Sequence, residues 1–369
     1  MTASRELHEL RTVFDQDGPF ATVYLDASRD TESGTHEVEL RWRELRRRLE
    51  DAGADKPALS AIDAAIADDR APGRHGLVVV AAGDHVVFEA DTPEPPARPE
   101  ASWSAVPHLM PFVAQQATRP QYVVVVADRT GADISVTTPY GQQNETVEGS
   151  AHYPLHKTGR DDWSELHFQK WVENAWDTNA SDVADAVRRH VATARPSLVV
   201  IAGDPRARGL LAGQLGSTVA GAEVVEVSEG GRAAGSSDEA LAEAVRDALL
   251  RHVWRRRREL LERLQQDVGR DKWAATGVRA VVDALRQARV DTLVISDDPT
   301  STLRGWSGHA PTDIALERDE LTAAGVDDPR EDRLDAVLVR AAIGTGAQVY
   351  VTPGAHDYLP EGIAAILRY

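Results

Sequence analysis

The stretch YVVVVADRTGADISVTTP, Tyr122 to Pro139, decides how the middle of this chain folds. Its valine run and the later ISVTT have the β-branched content of two neighbouring strands, and Asp128-Arg129-Thr130-Gly131 between them has the residues of a tight turn. A long helical pattern then reaches about Thr193, SLVVIAG (Ser197 to Gly203) suits a buried strand, and GAEVVEV (Gly221 to Val227) follows a further helix as another. Two paired strands, helix, strand, helix and strand make an α/β sheet. The triplet Gly141, Gln142, Gln143 falls between expected strands and reads as a hairpin connection, while glycine, serine and charge from Ser228 to Asp238 mark a boundary.

Upstream, PFATVYLD (Pro19 to Asp26) reads as a buried strand after a short polar helix. Glu37 to Ala52 has helical spacing with Leu40, Leu45 and Leu49 as its apolar face, and a second helix runs from Ala58 to Asp68. GLVVVAA and HVVFEAD form a strand pair turned by Gly83 and Asp84; TPEPPARPE is an exposed loop, and SWSAVPHLMPFVAQQA packs back as the last element of that domain. Downstream, a long helix spans Glu239 to Gln266, TGVRAVVDALRQARVDTLVISDD is a helix leading into a buried strand, RLDAVLVRAAIGTGAQVYVTP repeats that pattern, and EGIAAILRY closes the chain. Three α/β domains are expected, at 1–118, 119–233 and 234–369, as suits a chain of 369 residues.

Cysteine is absent, which excludes disulfides, thiolate metal sites and a cysteine nucleophile. Forty-one basic against 59 acidic residues give a net charge of −18, which argues against indiscriminate binding to nucleic acid. RNA contact would have to come from local clusters such as Arg46, Arg47, Arg48 or Arg255, Arg256, Arg257, Arg258, which read equally as solvated helix faces paired with nearby glutamates. There is neither a membrane-spanning run nor a signal-peptide core, so a cytoplasmic protein without membrane contact is expected. No Gly-x-Ser-x-Gly elbow or Gly-x-x-x-x-Gly-Lys-Ser/Thr loop occurs, and no cofactor is expected.

The segment HKTGRDDWSELHFQKWVENA, His156 to Ala175, is built like the peptide-release loop of the archaeal and eukaryotic class-I release factors. In that family a basic, glycine-containing loop carries Gly-Gly-Gln and runs into a long helix near a Ser-Ala-Leu-Arg-Phe-like pattern. Here Gly159 and Arg160 are followed by Asp161, Asp162 and Trp163, and then Ser164, Leu166 and Phe168 resume the pattern. The phrases downstream of Thr276 resemble the carboxyl-terminal domain of the release-factor and Pelota group. The resemblance implies a ribonuclease H-like middle domain and a carboxyl-terminal α/β/α sandwich related to kink-turn-binding ribosomal proteins. No codon-reading motif of the Asn-Ile-Lys-Ser type appears in the first domain. Among bacterial members the chain most resembles the group containing the ribosome hibernation factor Balon and its actinobacterial relatives, and 37 arginines against 4 lysines suit a GC-rich source.

That resemblance implies occupancy of the A site of idle 70S ribosomes without peptide release, under stress such as hypoxia, with elongation factor Tu or another translational GTPase as a further partner. Two other readings stay open on the sequence: rescue of stalled ribosomes in the manner of Pelota, and hydrolysis of peptidyl-tRNA with Asp161 or Asp162 as base. His156, Lys157, Gly159, Arg160 and Trp163 are the expected rRNA-contacting residues, since cationic groups suit phosphates and an indole stacks on a base. Ser164 suits a helix N-cap. His152 and His156 flank Pro154, which breaks the helical spacing a metal pair would need, so no metal is expected there.

Overall fold

The computed structural model describes residues 6–30, 33–69, 71, 73–92, 94–118, 120–138, 141–150, 162–232, 237–268, 273–298, 300–353 and 359–369. The first segment contains α1 (Glu6–Phe14), β1 (Phe20–Asp26), α2 (Gly34–Asp51), α3 (Lys56–Asp68), β2 (Gly76–Ala82), β3 (His85–Thr92), β4 (Glu100–Ser104) and α4 (Met110–Thr118). Its antiparallel sheet has the order β3-β2-β1-β4. β2 is buried along its whole length because both faces are covered. Leu77, Val79 and Ala81 face α2 and α3, while Val78, Val80 and Ala82 join a second core. α3 starts cleanly, since the Asp55 carboxylate accepts from the Ala58 N–H and Pro57 follows within the first turn.

On α2 the buried side chains are Val38, Trp42, Leu45 and Leu49. Leu40, expected on the apolar face, is 46% exposed. The stripe runs through 38, 42, 45 and 49 at helical spacing, and position 40 falls outside it.

The middle segment contains β5 (Tyr122–Asp128), β6 (Gly131–Thr138), β7 (Gly141–Glu148), α5 (Asp162–Ala194), β8 (Leu198–Gly203), α6 (Pro205–Leu215), β9 (Thr218–Val219), β10 (Ala222–Glu226) and α7 (Asp238–Val268). The sheet order is β7-β6-β5-β8-β10-β9, with β5, β8 and β10 parallel and β5, β6 and β7 antiparallel. Three antiparallel strands extended by two parallel ones is the ribonuclease H-like arrangement. Val183, Ala184 and Val187 of α5 cover one face with Leu211 of α6, and Val245 and Ala248 of α7 cover the other. Gly141, Gln142 and Gln143 are not a hairpin connection: they open β7 and pair with Thr138, Thr137 and Val136 of β6. Polar residues hid this strand, because its outer position on the sheet needs little apolar content. Ser164 is not an N-cap either, since α5 begins at Asp162.

The last segment contains β11 (Ala274–Thr276), α8 (Val278–Arg286), β12 (Val290–Asp297), β13 (Arg304–Ser307), β14 (Ile314–Ala315), α9 (Arg318–Ala323), β15 (Arg330–Arg333), α10 (Leu334–Gly344), β16 (Gln348–Pro353) and β17 (Ile363–Leu367). The main sheet, β11-β17-β12-β16, has α8 and α10 on one face and Leu260 and Leu264 of α7 on the other, an α/β/α sandwich. A small sheet, β14-β13-β15, is inserted between β12 and α10.

The described residues form two compact units, one within residues 119–259, the other of residues 6–118 together with 260–369. In the second, Leu10, Val13, Phe14 and Phe112 share one core with Val337, Ala341 and Val351. The helix α7 contributes residues up to Glu259 to the first unit and from Leu260 onward to the second. Among the described residues no helix is long and apolar enough to cross a membrane.

Candidate functional site

The segment carrying Gly159 to Trp163 connects β7 to α5. His156, Lys157, Gly159 and Arg160 lie outside the described residues, as do His152 and Asp161, and Trp163 enters only through its backbone in the first turn of α5. The frame from which the segment departs is well defined. The Gly149 N–H donates to the Thr130 carbonyl at 2.8 Å, and the Ser150 N–H and hydroxyl both donate to the Asp182 carboxylate of α5, at 2.9 and 2.7 Å. Asn179 of α5 donates to the Arg129 carbonyl at 3.0 Å. Gly149 has no room for a β-carbon, because the Asn179 side chain fills that space. Arg232 closes the frame at 3.0 Å from both Asp128 and Asp133, and with the Thr130 hydrogen bonds it holds the Asp128 carboxyl below its usual range despite burial. Arg206 lies over the Trp176 ring at 5.2 Å.

The arginine clusters are largely self-paired. Arg46 pairs with Glu50 and, at 3.2 Å, with Asp63; Arg47 and Arg48 both pair with Glu44 at 3.2 Å. On α7, Arg255 pairs with Glu223, which also accepts from His252 at 2.7 Å. Arg257 stacks over Trp254 at 5.5 Å from the ring centroid, and Trp254 is 63% exposed. Arg256 and Arg258 belong to the same helix.

The most strongly perturbed ionisable groups lie elsewhere, in the unit formed by the chain ends. The Nδ1 of His108 is 2.8 Å from Glu100 and its Nε2 is 3.8 Å from Asp335, which Arg333 grips through two hydrogen bonds of 3.1 and 2.5 Å. Burial alone would lower the pKa of His108, but the two carboxylates raise it to about 9. Asp335 is driven the other way: burial opposes its charge, and His108 and Arg333 hold it far below the usual carboxylate range. Backbone hydrogen bonds fix the cluster, because the Tyr24 hydroxyl donates to the His108 carbonyl at 2.8 Å and the Val106 N–H donates to Asp332 at 2.8 Å. An imidazolium clamped between two carboxylates is no general base near neutral pH; its chemistry is that of an ion-paired brace. No sequence motif marked His108 or Asp335. Among the described residues Asp69, His75 and Asp91 form one further group, with donor atoms close enough to share a metal ion.

Residues 121–270, the middle segment, match the family model "Bacterial archaeo-eukaryotic release factor family 2". Over 363 residues the chain is 30% identical to "Uncharacterized protein Rv2629" of Mycobacterium tuberculosis H37Rv, a match covering 98% of this chain and 96% of the relative. "Uncharacterized protein MT2704" of M. tuberculosis CDC 1551 matches to the same extent, 30% over 363 residues. The chain belongs to one family with these mycobacterial proteins, and its residues 121–270 carry the match to the release-factor family model. Among solved structures, S. cerevisiae Dom34, a translation termination-like factor, is similar over 98% of this chain and 91% of its own, at 12% identity and a TM-score of 0.41. Archaeoglobus fulgidus Pelota matches over 99% and 92%, at 13% identity and a TM-score of 0.31. The archaeal termination factor aRF1 matches over 99% and 98%, at 17% identity and a TM-score of 0.25.

Proposed function

We propose that this protein occupies the A site of idle 70S ribosomes in the cytoplasm and holds them inactive without releasing peptide. The sequence supports the reading: in a segment that resembles the release loop, Asp161-Asp162-Trp163 follow Gly159-Arg160, and the chain holds no Gly-Gly-Gln. Two glycines take positive φ values that side-chain-bearing residues reach only at a cost, and the transition state of ester hydrolysis is anionic. Two aspartates at that position oppose both requirements. The protein is therefore read as a binder and not an enzyme, with His156, Lys157, Gly159, Arg160 and Trp163 contacting rRNA. Its acidic surface leaves room for a protein partner such as elongation factor Tu or another translational GTPase. Hibernation under stress such as hypoxia is the physiological role that follows from reversible occupancy.

The purified protein is expected to co-sediment with 70S particles, to compete with A-site tRNA, and to free no labelled peptide from a termination complex. Stop-codon-dependent release at the rate of a genuine factor overturns the reading. So does simultaneous binding with A-site tRNA.

A further inference from the structure

Asp69, His75 and Asp91 come together from three parts of the first segment. Asp69 follows α3, and its Oδ1 accepts from the Ala71 N–H at 2.9 Å, which leaves Oδ2 facing the His75 Nε2 at 3.2 Å. His75 precedes β2 and is held through its backbone: the Ala27 N–H donates to its carbonyl at 3.1 Å, and the Ser28 hydroxyl donates to it at 3.3 Å. The ring Nδ1 lies 3.3 Å from the Gly73 carbonyl, itself fixed by the Arg29 N–H at 2.8 Å. With a proton on Nδ1 directed at that carbonyl, Nε2 keeps its lone pair for the pocket. Metal-bound histidines are oriented in this way. Asp91 stands on β3 opposite Leu77 and brings a second carboxylate from the exposed side.

Distance and charge both suit a cation. The three donor atoms all lie within 4.8 Å of one another. Ligands about 2.1 Å from a tetrahedral ion sit about 3.4 Å apart, so rotation of the exposed Asp91 side chain, with the buried Asp69 and His75 held in place, can close the site. Arg29, 2.5 Å from the Asp69 Oδ2, supplies one positive charge against the carboxylates of Asp69, Asp91 and Glu89.

We propose that Asp69, His75 and Asp91 bind a divalent first-row transition-metal ion, with water completing the coordination and Arg29 competing for the Asp69 oxygen. One imidazole and two carboxylates form a borderline donor set suited to zinc or manganese. The site braces the junction of α3, β2 and β3, and it does not depend on the proposed ribosomal role.

The test is titration of the untagged full chain with Zn²⁺ by calorimetry and with Co²⁺ by visible absorption. One saturable, chelator-reversible site per chain is expected. Asp91→Ala, at an exposed position, should weaken binding by about tenfold or more while leaving the thermal midpoint of the chelator-treated protein unchanged. Arg29→Gln should tighten binding by removing the competing cation, and His75→Ala should abolish it. If His75→Ala fails to fold, Asp91→Ala decides. Absence of a saturable site, or equal affinity in Asp91→Ala and the parent, overturns the proposal.

Discussion

His108 gains its positive charge from the fold. Its folded pKa of about 9 lies above the ordinary value of 6.5. The stabilisation is therefore fully present below pH 6.5 and is lost as pH rises through about 9. A shift of that size corresponds to roughly 3 kcal/mol at most, shared with the two carboxylates that cause it. Denaturant unfolding across this window should show stability falling in the parent protein, and His108→Gln should flatten the fall while lowering stability at neutral pH. An unchanged pH profile in the variant would remove His108 from the account. Asp335 acts at the other extreme, since a depressed carboxyl pKa stabilises above its ordinary 3.8 and is lost as pH falls below that value. Neither residue is legible in the sequence, because no spacing relates a histidine after β4 to an aspartate in the first turn of α10.

At the scale of elements, α5 and α7 present the surfaces on which ribosome binding can be tested. If the loop ahead of α5 contacts rRNA, replacing His156, Lys157, Arg160 and Trp163 together by alanine should weaken 70S binding and flatten its salt dependence, since fewer phosphate contacts release fewer counterions. Trp254→Ala on α7 is the companion experiment: the side chain is 63% exposed, so stability should change by less than about 0.5 kcal/mol. A loss of ribosome affinity in Trp254→Ala would place α7 at the interface, and unchanged affinity would leave Arg257 and Trp254 as a surface pair. The sequence made the long helices and the valine-rich strands readable through their periodicity. It misled at Leu40, where one leucine of several lies off the buried stripe, and at Gly141 to Gln143, where a polar outer strand lacks an apolar signature.

For the molecule as a whole, the packing of residues 6–118 with 260–369 leads to a prediction about fragments. Residues 119–259 alone should melt cooperatively, because their sheet is covered on both faces from within the unit. Residues 260–369 alone should not reach the stability they have in the full chain. There α10 would lose Leu10, Val13 and Phe112 as core partners, and Asp335 would lose His108. Circular-dichroism melting of both fragments checks this; a cooperative transition of the 260–369 fragment at the full-chain midpoint would contradict it. The amino-acid sequence by itself determined most of the strands and helices and the absence of a Gly-Gly-Gln triplet, because hydrophobic period, turn chemistry and motif identity are properties of short windows. Only the tertiary structure decided that the two ends share one core, that His108 meets Asp335, and that Asp69, His75 and Asp91 converge. Contacts between distant segments arise from which apolar faces cover one another, and no local pattern encodes that choice.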